Sequence, residues 1–249
     1  RQIYELRDNE FGSSVQIVPS RGATAVSFNV KGREVFYLED NDIFKSGGNP
    51  LMFPYANRIR NGIFTDLQGN IVDLKGVEGT KLDGQSNVIH GMVRYAPWYA
   101  KHVCTDDTGA FAIFTLHSEK FDNMRKYFGL FEIAIAYQLS ANKLIITTFV
   151  ENHNERALMM SMAYHPWFNT PDRAQWFIKI PASKVCEAVG QLPTGILLDV
   201  SNTKYDWKKW TLIGANTYDD VLTELQFKNG QAGSLLYSPQ ERLAIRVIQ

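Results

Sequence analysis

The sequence predicts an all-β fold, a large antiparallel β-sandwich with few short helices. Apolar and polar residues alternate with a period of two along most of the chain, as they do in half-buried strands. Turn-forming residues separate these runs at spacings typical of hairpins. Helical periodicity does not persist over more than two turns, so helices are expected only as short turns near Met124–Phe128 and after Asn202.

The first strands form a predicted meander near the N-terminus. Ser14–Val18, Ala23–Val30 and Val35–Leu38 are the alternating runs, and Lys31-Gly32 is a turn signal between the last two. Later runs of the same kind are Trp98–Val103, Phe111–His117, Leu130–Leu139, Leu144–Glu151, Leu158–Tyr164, Trp176–Ile180, Val221–Phe227, Ser234–Tyr237 and Leu243–Ile248. So many short alternating strands predict two sheets packed face to face.

Length and composition indicate one globular domain spanning residues 1–249. A chain of 249 residues is long for an ordinary domain, but sandwiches of this size often form a single unit. Hydrophobic residues make up 45% of the chain and charged residues 21%, so there is enough apolar surface to bury a core. This composition excludes intrinsic disorder.

Charge and hydropathy exclude two classes of partner. Lys and Arg together number 26, as do Asp and Glu, so the broad positive field of a nucleic-acid-binding protein is not expected. No run approaches the roughly 18 apolar residues that cross a bilayer, so no membrane partner is expected. Since no secretory leader is recognisable, the predicted location is the cytoplasm. The sequence predicts no oligomeric state.

The cysteines and histidines do not have the spacing of a local metal site. Cys104 and Cys186 are far apart and are expected to be reduced, buried thiols. No two histidines lie two or four residues apart, so no metal is expected. His102, His117 and His153 are expected to be structural or solvated.

Two loop-like segments, residues 46–64 and 81–98, are rich in aromatic residues, Arg and His, and binding groups on β scaffolds usually lie in such loops. The chain carries several short motifs in one order. They are GA-x-x-x-S at Gly22–Ser27, FPYANRIRNGIF at Phe53–Phe64, IHG-x-x-R-x-x-PW at Ile89–Trp98, HPWFN at His165–Asn169, LPTG at Leu192–Gly195, KYDW at Lys204–Trp207 and YDDV at Tyr218–Val221. In this order the motifs resemble the aldose 1-epimerase family, the galactose mutarotase-like proteins.

The resemblance implies a β-supersandwich fold and an isomerase that interconverts the α and β anomers of an aldohexose by acid–base ring opening. It implies a sugar substrate and no cofactor. It does not decide between a free and a phosphorylated sugar. A phosphosugar would need a cluster of cations at the pocket rim, for which Arg58, Arg60 and Arg94 are candidates.

The resemblance also implies roles for particular residues. His165 would be the general acid at the ring oxygen, and His90 would hydrogen-bond the same region and stabilise developing charge. Arg58 would bind sugar hydroxyls through its planar fork. Asp219 would bind hydroxyls farther round the ring, while Asn57, Arg94 and Trp167 would line or support the site. Tyr55, Trp98 and Phe168 would either stack on the sugar or pack in the core.

One family feature has no counterpart in the sequence. The family's general base is a glutamate in a C-terminal motif resembling C-x-E-P, and neither Glu224 nor Glu241 matches it. Two explanations stay open. Either the sequence is a C-terminally incomplete piece of a longer chain, or the protein is a carbohydrate-binding or sensing module without catalytic turnover.

Overall fold

The computed structural model describes residues 2–43, 45–106 and 109–249. Contacts within the chain divide it into two compact units, Arg1–Asn169 and Thr170–Gln249, which are described separately. The sequence interpretation of a single domain stays a prediction. The predicted class is confirmed in both units, since the sheets are antiparallel and the described residues form a single α-helix.

The described residues of the first unit form fifteen strands and the α-helix. They are β1 (Tyr4–Asp8), β2 (Ser13–Val18), β3 (Thr24–Val30), β4 (Arg33–Glu34), β5 (Leu51–Met52), β6 (Arg58–Ile59), β7 (Ile63–Thr65), β8 (Ile71–Asp73), β9 (Lys81–Leu82), β10 (Val88–Ile89), β11 (Tyr99–Asp106), β12 (Gly109–His117), α1 (Asp122–Phe128), β13 (Phe131–Ser140), β14 (Lys143–Asn152) and β15 (Ala163–Tyr164). Its 3-10 turns are Pro19–Arg21, Glu39–Asn41, Arg60–Gly62, Val93–Tyr95 and Ser118–Lys120.

In the first unit, β1 of the four-stranded sheet β1-β2-β3-β4 packs against β12 and β13 of the four-stranded sheet β11-β12-β13-β14. Alternate residues of β13 are buried, as the period-two pattern predicts. The ring of Tyr4 in β1 lies 5.3 Å from that of Phe114 in β12. Across the same interface the hydroxyl of Tyr137 donates a 2.7 Å hydrogen bond to the carbonyl of Ala23. Each large apolar side chain buried here stabilises the fold by about 1.5–3 kcal/mol.

The second unit contains seven strands and one 3-10 turn, Arg173–Gln175. The strands are β16 (Phe177–Lys179), β17 (Ala182–Val189), β18 (Leu192–Asp199), β19 (Thr211–Leu212), β20 (Leu222–Leu225), β21 (Gly233–Ser238) and β22 (Leu243–Ile248). They form two sheets of order β19-β16-β21-β22 and β18-β17-β20. Trp176, just before β16, is fully buried in this unit.

Two predicted strands are largely wrong. Val35–Leu38 forms only isolated bridges, Phe36 with Phe168 and Leu38 with Gly47, because its residues pair in turn with separate segments. Of Leu158–Tyr164, only the last two residues pair, with β5. The residues before this pair form no strand. One of them, Ser161, donates a 2.9 Å hydrogen bond from its amide to the carbonyl of Pro54.

The sequence also misses strands β1, β17 and β18, together with the short strands β4 to β10 and β19. The helical turn expected after Asn202 is a series of non-helical turns. Pro193 and Gly195 lie inside β18, and both residues are unusual in the interior of a strand. They are tolerated because β18 is at the edge of its sheet, where a missing amide donor breaks no ladder on the open side.

Replacing Tyr137 by Phe tests the contact between the two sheets of the first unit. Tyr137 is fully buried, and Tyr137→Phe leaves the Ala23 carbonyl without its donor. We expect the free energy of unfolding to fall by about 1–2 kcal/mol, measured by urea denaturation. Tyr99→Phe, at an exposed position of β11, is the control. An equal effect of the two substitutions would contradict this account of the interface.

Candidate functional site

The backbone of residues 50–58 positions both histidines of the family-like motifs. The carbonyl of Pro50 accepts a 3.0 Å hydrogen bond from the amide of His165, and the carbonyl of Asn57 accepts one of 2.8 Å from the amide of His90. Strand β5 pairs with β15, immediately before His165, and β6 pairs with β10, immediately before His90. Two segments that are distant in sequence are therefore aligned on one stretch of chain.

The structure brings the two imidazoles together. The ring centroids of His90 and His165 are 5.1 Å apart, with an interplanar angle of 69°. Both residues are partly buried. The indole of Trp167 lies 5.8 Å from the His165 ring and is 37% exposed, so it presents an aromatic surface beside the pair. One hexose is large enough to contact all three rings.

Tight backbone packing fixes the position of His90. Its φ is 68° and that of Gly91 is 72°, both in the left-handed region. A Cβ at Gly91 would lie only 2.3 Å from the carbonyl oxygen of Phe53. The same oxygen accepts a 2.8 Å hydrogen bond from the Met92 amide. Glycine is therefore required after His90.

The surroundings of His90 keep its imidazole neutral. Burial of the ring lowers the pKa of His90 to about 4, and the charge of His165 acts in the same direction. The positive side chains that add to this effect are Arg94, Arg58 and Lys81. The Nδ1 atom of His90 is buried and has no hydrogen-bond partner among the described residues. Protonation would place an N–H there without an acceptor.

Arg58 is held by a carboxylate that sequence reasoning did not identify. Its Nε atom donates a 2.9 Å hydrogen bond to Asp83, and its Nη1 atom donates one of 2.8 Å to the side chain of Asn57. The Arg58 and Asp83 side chains are only 12% and 8% exposed. Although burial of its carboxyl opposes the change, hydrogen bonds from Asn87, Gln85 and Arg58 lower the pKa of Asp83 to about 2. The ion pair is therefore intact at neutral pH.

Asp83 has a recognisable local signature. Its Oδ1 atom accepts hydrogen bonds from the amides of Gln85 and Asn87, at 2.8 and 2.9 Å, which is the pattern of an Asx turn. The sequence Asp83-Gly84-Gln85-Ser86-Asn87 could have indicated this turn. Only the fold shows that the turn also holds Arg58.

Arg94 supports the site from within. The residue is 8% exposed, and its guanidinium carbon lies 5.0 Å from the centre of the Tyr95 ring. Gly22 packs against its backbone, since a Cβ at Gly22 would lie 2.5 Å from the Arg94 carbonyl oxygen. The GA-x-x-x-S and IHG-x-x-R motifs thus meet in the folded chain.

Of the four aromatic residues considered for sugar stacking, Tyr55, Trp98, Trp167 and Phe168, Trp167 is the exposed one. Tyr55 is buried, with its ring 5.8 Å from that of Phe128. Trp98 is buried and donates a 3.2 Å hydrogen bond to the Val93 carbonyl. Phe168 is partly buried and packs 6.3 Å from Phe36. Of the two alternatives left open for these rings, core packing is the one found for Tyr55 and Trp98.

Asp219 lies in the second unit, with the later family-like motifs. It is exposed, and the side-chain amide of Gln191 donates a hydrogen bond to its carboxylate. The KYDW and YDDV motifs form one aromatic cluster, in which the Trp207 and Tyr218 rings are 4.7 Å apart. The Tyr205 hydroxyl donates a 2.8 Å hydrogen bond to Asp220.

The pair of histidines is separate from the group of residues best suited to a metal ion. In the part of the chain that the structure describes, three His, Cys, Asp or Glu donors within reach of a common ion occur at Glu132, Glu151 and His153.

Among the described residues, no helix has the length and apolar character of a membrane span.

Comparison with known proteins places this geometry in a family. A family model described as aldose 1-epimerase matches residues 2–248. No curated protein sequence gives a significant match. Among solved structures, a galactose mutarotase-like protein from Clostridium acetobutylicum has 20% sequence identity and a TM-score of 0.79, over 96% of this chain and 78% of that one. The galactose 1-epimerase from Lactobacillus acidophilus NCFM has 19% identity and a TM-score of 0.71, over 96% and 74% of the two chains.

At these identities the structural likeness shows a shared fold. The family model, in contrast, covers nearly the whole sequence, including all the motifs that carry the resemblance. The chain therefore belongs to the aldose 1-epimerase family.

Proposed function

We propose that the protein is a mutarotase that interconverts the α and β anomers of an aldohexose by acid–base ring opening. The observation that carries the proposal is the pair of imidazoles, His90 and His165, with ring centroids 5.1 Å apart beside the exposed indole of Trp167. Family membership supports a sugar substrate and the isomerase class.

The reaction needs two proton transfers on opposite sides of the sugar. A base removes the proton of the C1 hydroxyl while an acid protonates the ring oxygen. The C1–O5 bond breaks as the C1 carbonyl forms, and rotation about C1–C2 exposes the other face of the carbonyl to the O5 hydroxyl. Reclosure returns both protons and gives the other anomer. Groups positioned for these transfers accelerate each by about 10²–10⁴-fold.

The two histidines have different roles in this proposal. Because His90 is neutral and its Nδ1 atom has no acceptor for a proton among the described residues, we assign its proton to Nε2. His90 then donates a hydrogen bond to the ring-oxygen region without giving up its proton. His165 is the general acid that protonates the ring oxygen. Because His90 is neutral, it and the acid His165 can both face the ring oxygen without repelling each other.

The remaining residues of the motifs bind and orient the sugar. Arg58, fixed by Asn57 and Asp83, presents its guanidinium to sugar hydroxyls. Trp167 offers an apolar face to the C–H side of the pyranose. Arg94 supports the His90 loop. The role of Asp219, in the second unit, stays a prediction from the family resemblance.

A second candidate function is sugar binding or sensing without turnover. It is the alternative because none of the residues described at the histidine pair is assigned as the general base. The two functions share the same binding residues. Only the mutarotase accelerates the interconversion of the anomers, so the experiment measures that rate.

Location in the cytoplasm and the choice between free and phosphorylated hexoses are predictions from sequence. Arg58 and Lys81 place positive charge near His90, and Arg60 is exposed. A hexose phosphate is therefore tested beside the free sugars.

Polarimetry tests the proposal directly. A freshly dissolved single anomer of glucose, galactose or a hexose 6-phosphate is mixed with micromolar protein, and optical rotation is followed against buffer. We expect the native chain to accelerate the change, and His165→Ala to reduce the turnover number by about 10²–10⁴-fold because the general acid is lost. His102→Ala, an exposed histidine of β11, should retain the native rate.

The opposite outcomes separate the two functions. If the native chain binds a hexose by calorimetry but leaves the rate of rotation at that of buffer, the second function is correct. If His165→Ala turns over as fast as the native chain, the assignment of the acid is wrong.

Arg58→Lys tests the sugar-binding role of the guanidinium. Lysine cannot contact Asp83 and Asn57 together while keeping the planar fork. We expect KM to rise about tenfold or more, with a smaller change in kcat, because the lost contact acts in the ground state as well as in the transition state. Arg60→Lys, two residues away and exposed, is the matched control for free hexoses. Equal KM values for the two variants would exclude this role.

His90→Asn tests the neutral state of His90. Its folded-state pKa of about 4 lies below the ordinary value of 6.5, so the unfolded chain binds more protons between these pH values. The free energy of unfolding should therefore decrease as the pH falls from about 6.5 to about 4. In His90→Asn, whose side chain tolerates a positive φ, this decrease should be smaller. Urea denaturation across this pH range measures it.

His102→Asn provides the comparison, because this exposed histidine lies in the same unit. A pH dependence of stability that is the same in His90→Asn and the native chain would show that His90 is protonated as easily in the folded chain as in the unfolded one.

A further inference from the structure

A second group of chemically reactive side chains lies on the sheet β11-β12-β13-β14, among residues with no role in the proposed mutarotase site. In the register of this sheet, His117 of β12 is opposite Glu132 of β13, and Glu132 is opposite Glu151 of β14. His153 follows β14, and its amide donates a 2.9 Å hydrogen bond to the Leu130 carbonyl. The register places these side chains side by side.

Three of the donor side chains offer atoms within reach of one ion, and His117 is adjacent to them. One ligand atom from each of Glu132, Glu151 and His153 lies within 4.8 Å of the others. The Nδ1 atom of His117 is 3.7 Å from a carboxylate oxygen of Glu132. Ligand atoms about 2.0–2.2 Å from a tetrahedral ion are about 3.3 Å apart. Small rotations of these partly exposed side chains would close the remaining distance.

Without a bound metal ion, the neighbouring carboxylates of this group repel each other. Glu132 and Glu151 are carboxylates directly opposite each other on adjacent strands, an arrangement that destabilises a sheet. Lys101 is 3.8 Å from Glu132 and offsets part of this charge. Glu119 lies in the same hollow and adds a further negative charge.

The shape and chemistry of the group indicate the class of ion. His117, Glu132 and His153 line a hollow of about 250 Å³ that is open to solvent. Two imidazoles with two carboxylates suit Zn²⁺ and similar transition-metal ions. Mg²⁺ and Ca²⁺ are not the preferred ions here, because they favour coordination by oxygen atoms alone.

We propose that His117, Glu132, Glu151 and His153 form a binding site for a divalent transition-metal ion of the Zn²⁺ class. The site stands on cross-strand geometry and on the donor set, and it does not depend on the proposed mutarotase activity. It revises the expectation from sequence that the chain holds no metal, because the ligands come from three strands and have no local spacing.

Calorimetry of the full chain with Zn²⁺ in a weakly coordinating buffer tests the site. We expect about one ion per chain, and an affinity at least about tenfold lower in His153→Ala and in Glu132→Gln. Mg²⁺ at the same concentration should give no binding. His102→Ala, on the same sheet but outside the group, should bind as the native chain does.

His90→Ala separates this site from the histidine pair, which could also attract zinc. Retained binding in this variant supports the proposal, and loss of binding overturns it. Absorption spectroscopy with Co²⁺ on the native chain gives a measurement that needs no variant, since nitrogen and oxygen ligands in a tetrahedral site produce intense visible bands. No Zn²⁺ binding and no cobalt bands, or unchanged affinity in His153→Ala and Glu132→Gln, would overturn it as well.

Discussion

The proposed site depends on backbone hydrogen bonds to the buried segment that contains residues 50–57. Leu51, Met52 and Phe53 are almost fully buried, and buried carbonyls require donors. Those donors come from two remote segments, through the amides of His165, Met92 and His90. The position of each imidazole is therefore tied to the pairing of the core rather than to the conformation of a surface loop. Close contact of Gly91 with Phe53 leaves little freedom for His90 to move.

The same arrangement explains how two similar side chains can have different chemistry. His90 has its Nδ1 atom turned into the protein, and burial together with neighbouring positive charge disfavours its imidazolium form. Arg58, one of these neighbours, is paired with Asp83 at 2.9 Å, so part of the positive charge around His90 is offset.

Sequence alternation predicts the parts of this fold in which one face of a strand is buried. The alternation predicts the hairpin of β13 and β14 at Leu130–Leu139 and Leu144–Glu151, with each end one residue from that in the structure. Exposed strands have no such pattern, which is why β18, with its Pro193 and Gly195, was missed. In the site, motif resemblance supplied His90 and His165, but Asp83 emerged only from the folded chain. Tyr55 and Trp98, in contrast, look like sugar-stacking rings in sequence and are core residues.

The histidine–glutamate group on β12, β13 and β14 shows the same limit of local sequence patterns. Metal-ligand motifs are recognised when two ligands share one helix or turn, because the spacing is then fixed by a few residues of chain. Here the spacing is fixed by strand register, which places His117, Glu132 and Glu151 in one row although each belongs to a different strand. Cross-strand pairing also aligns His90 and His165 through β10 and β15. In this unit, therefore, sheet register is the main device that brings reactive side chains together, and a one-residue slip would turn each strand's side chains to the opposite face.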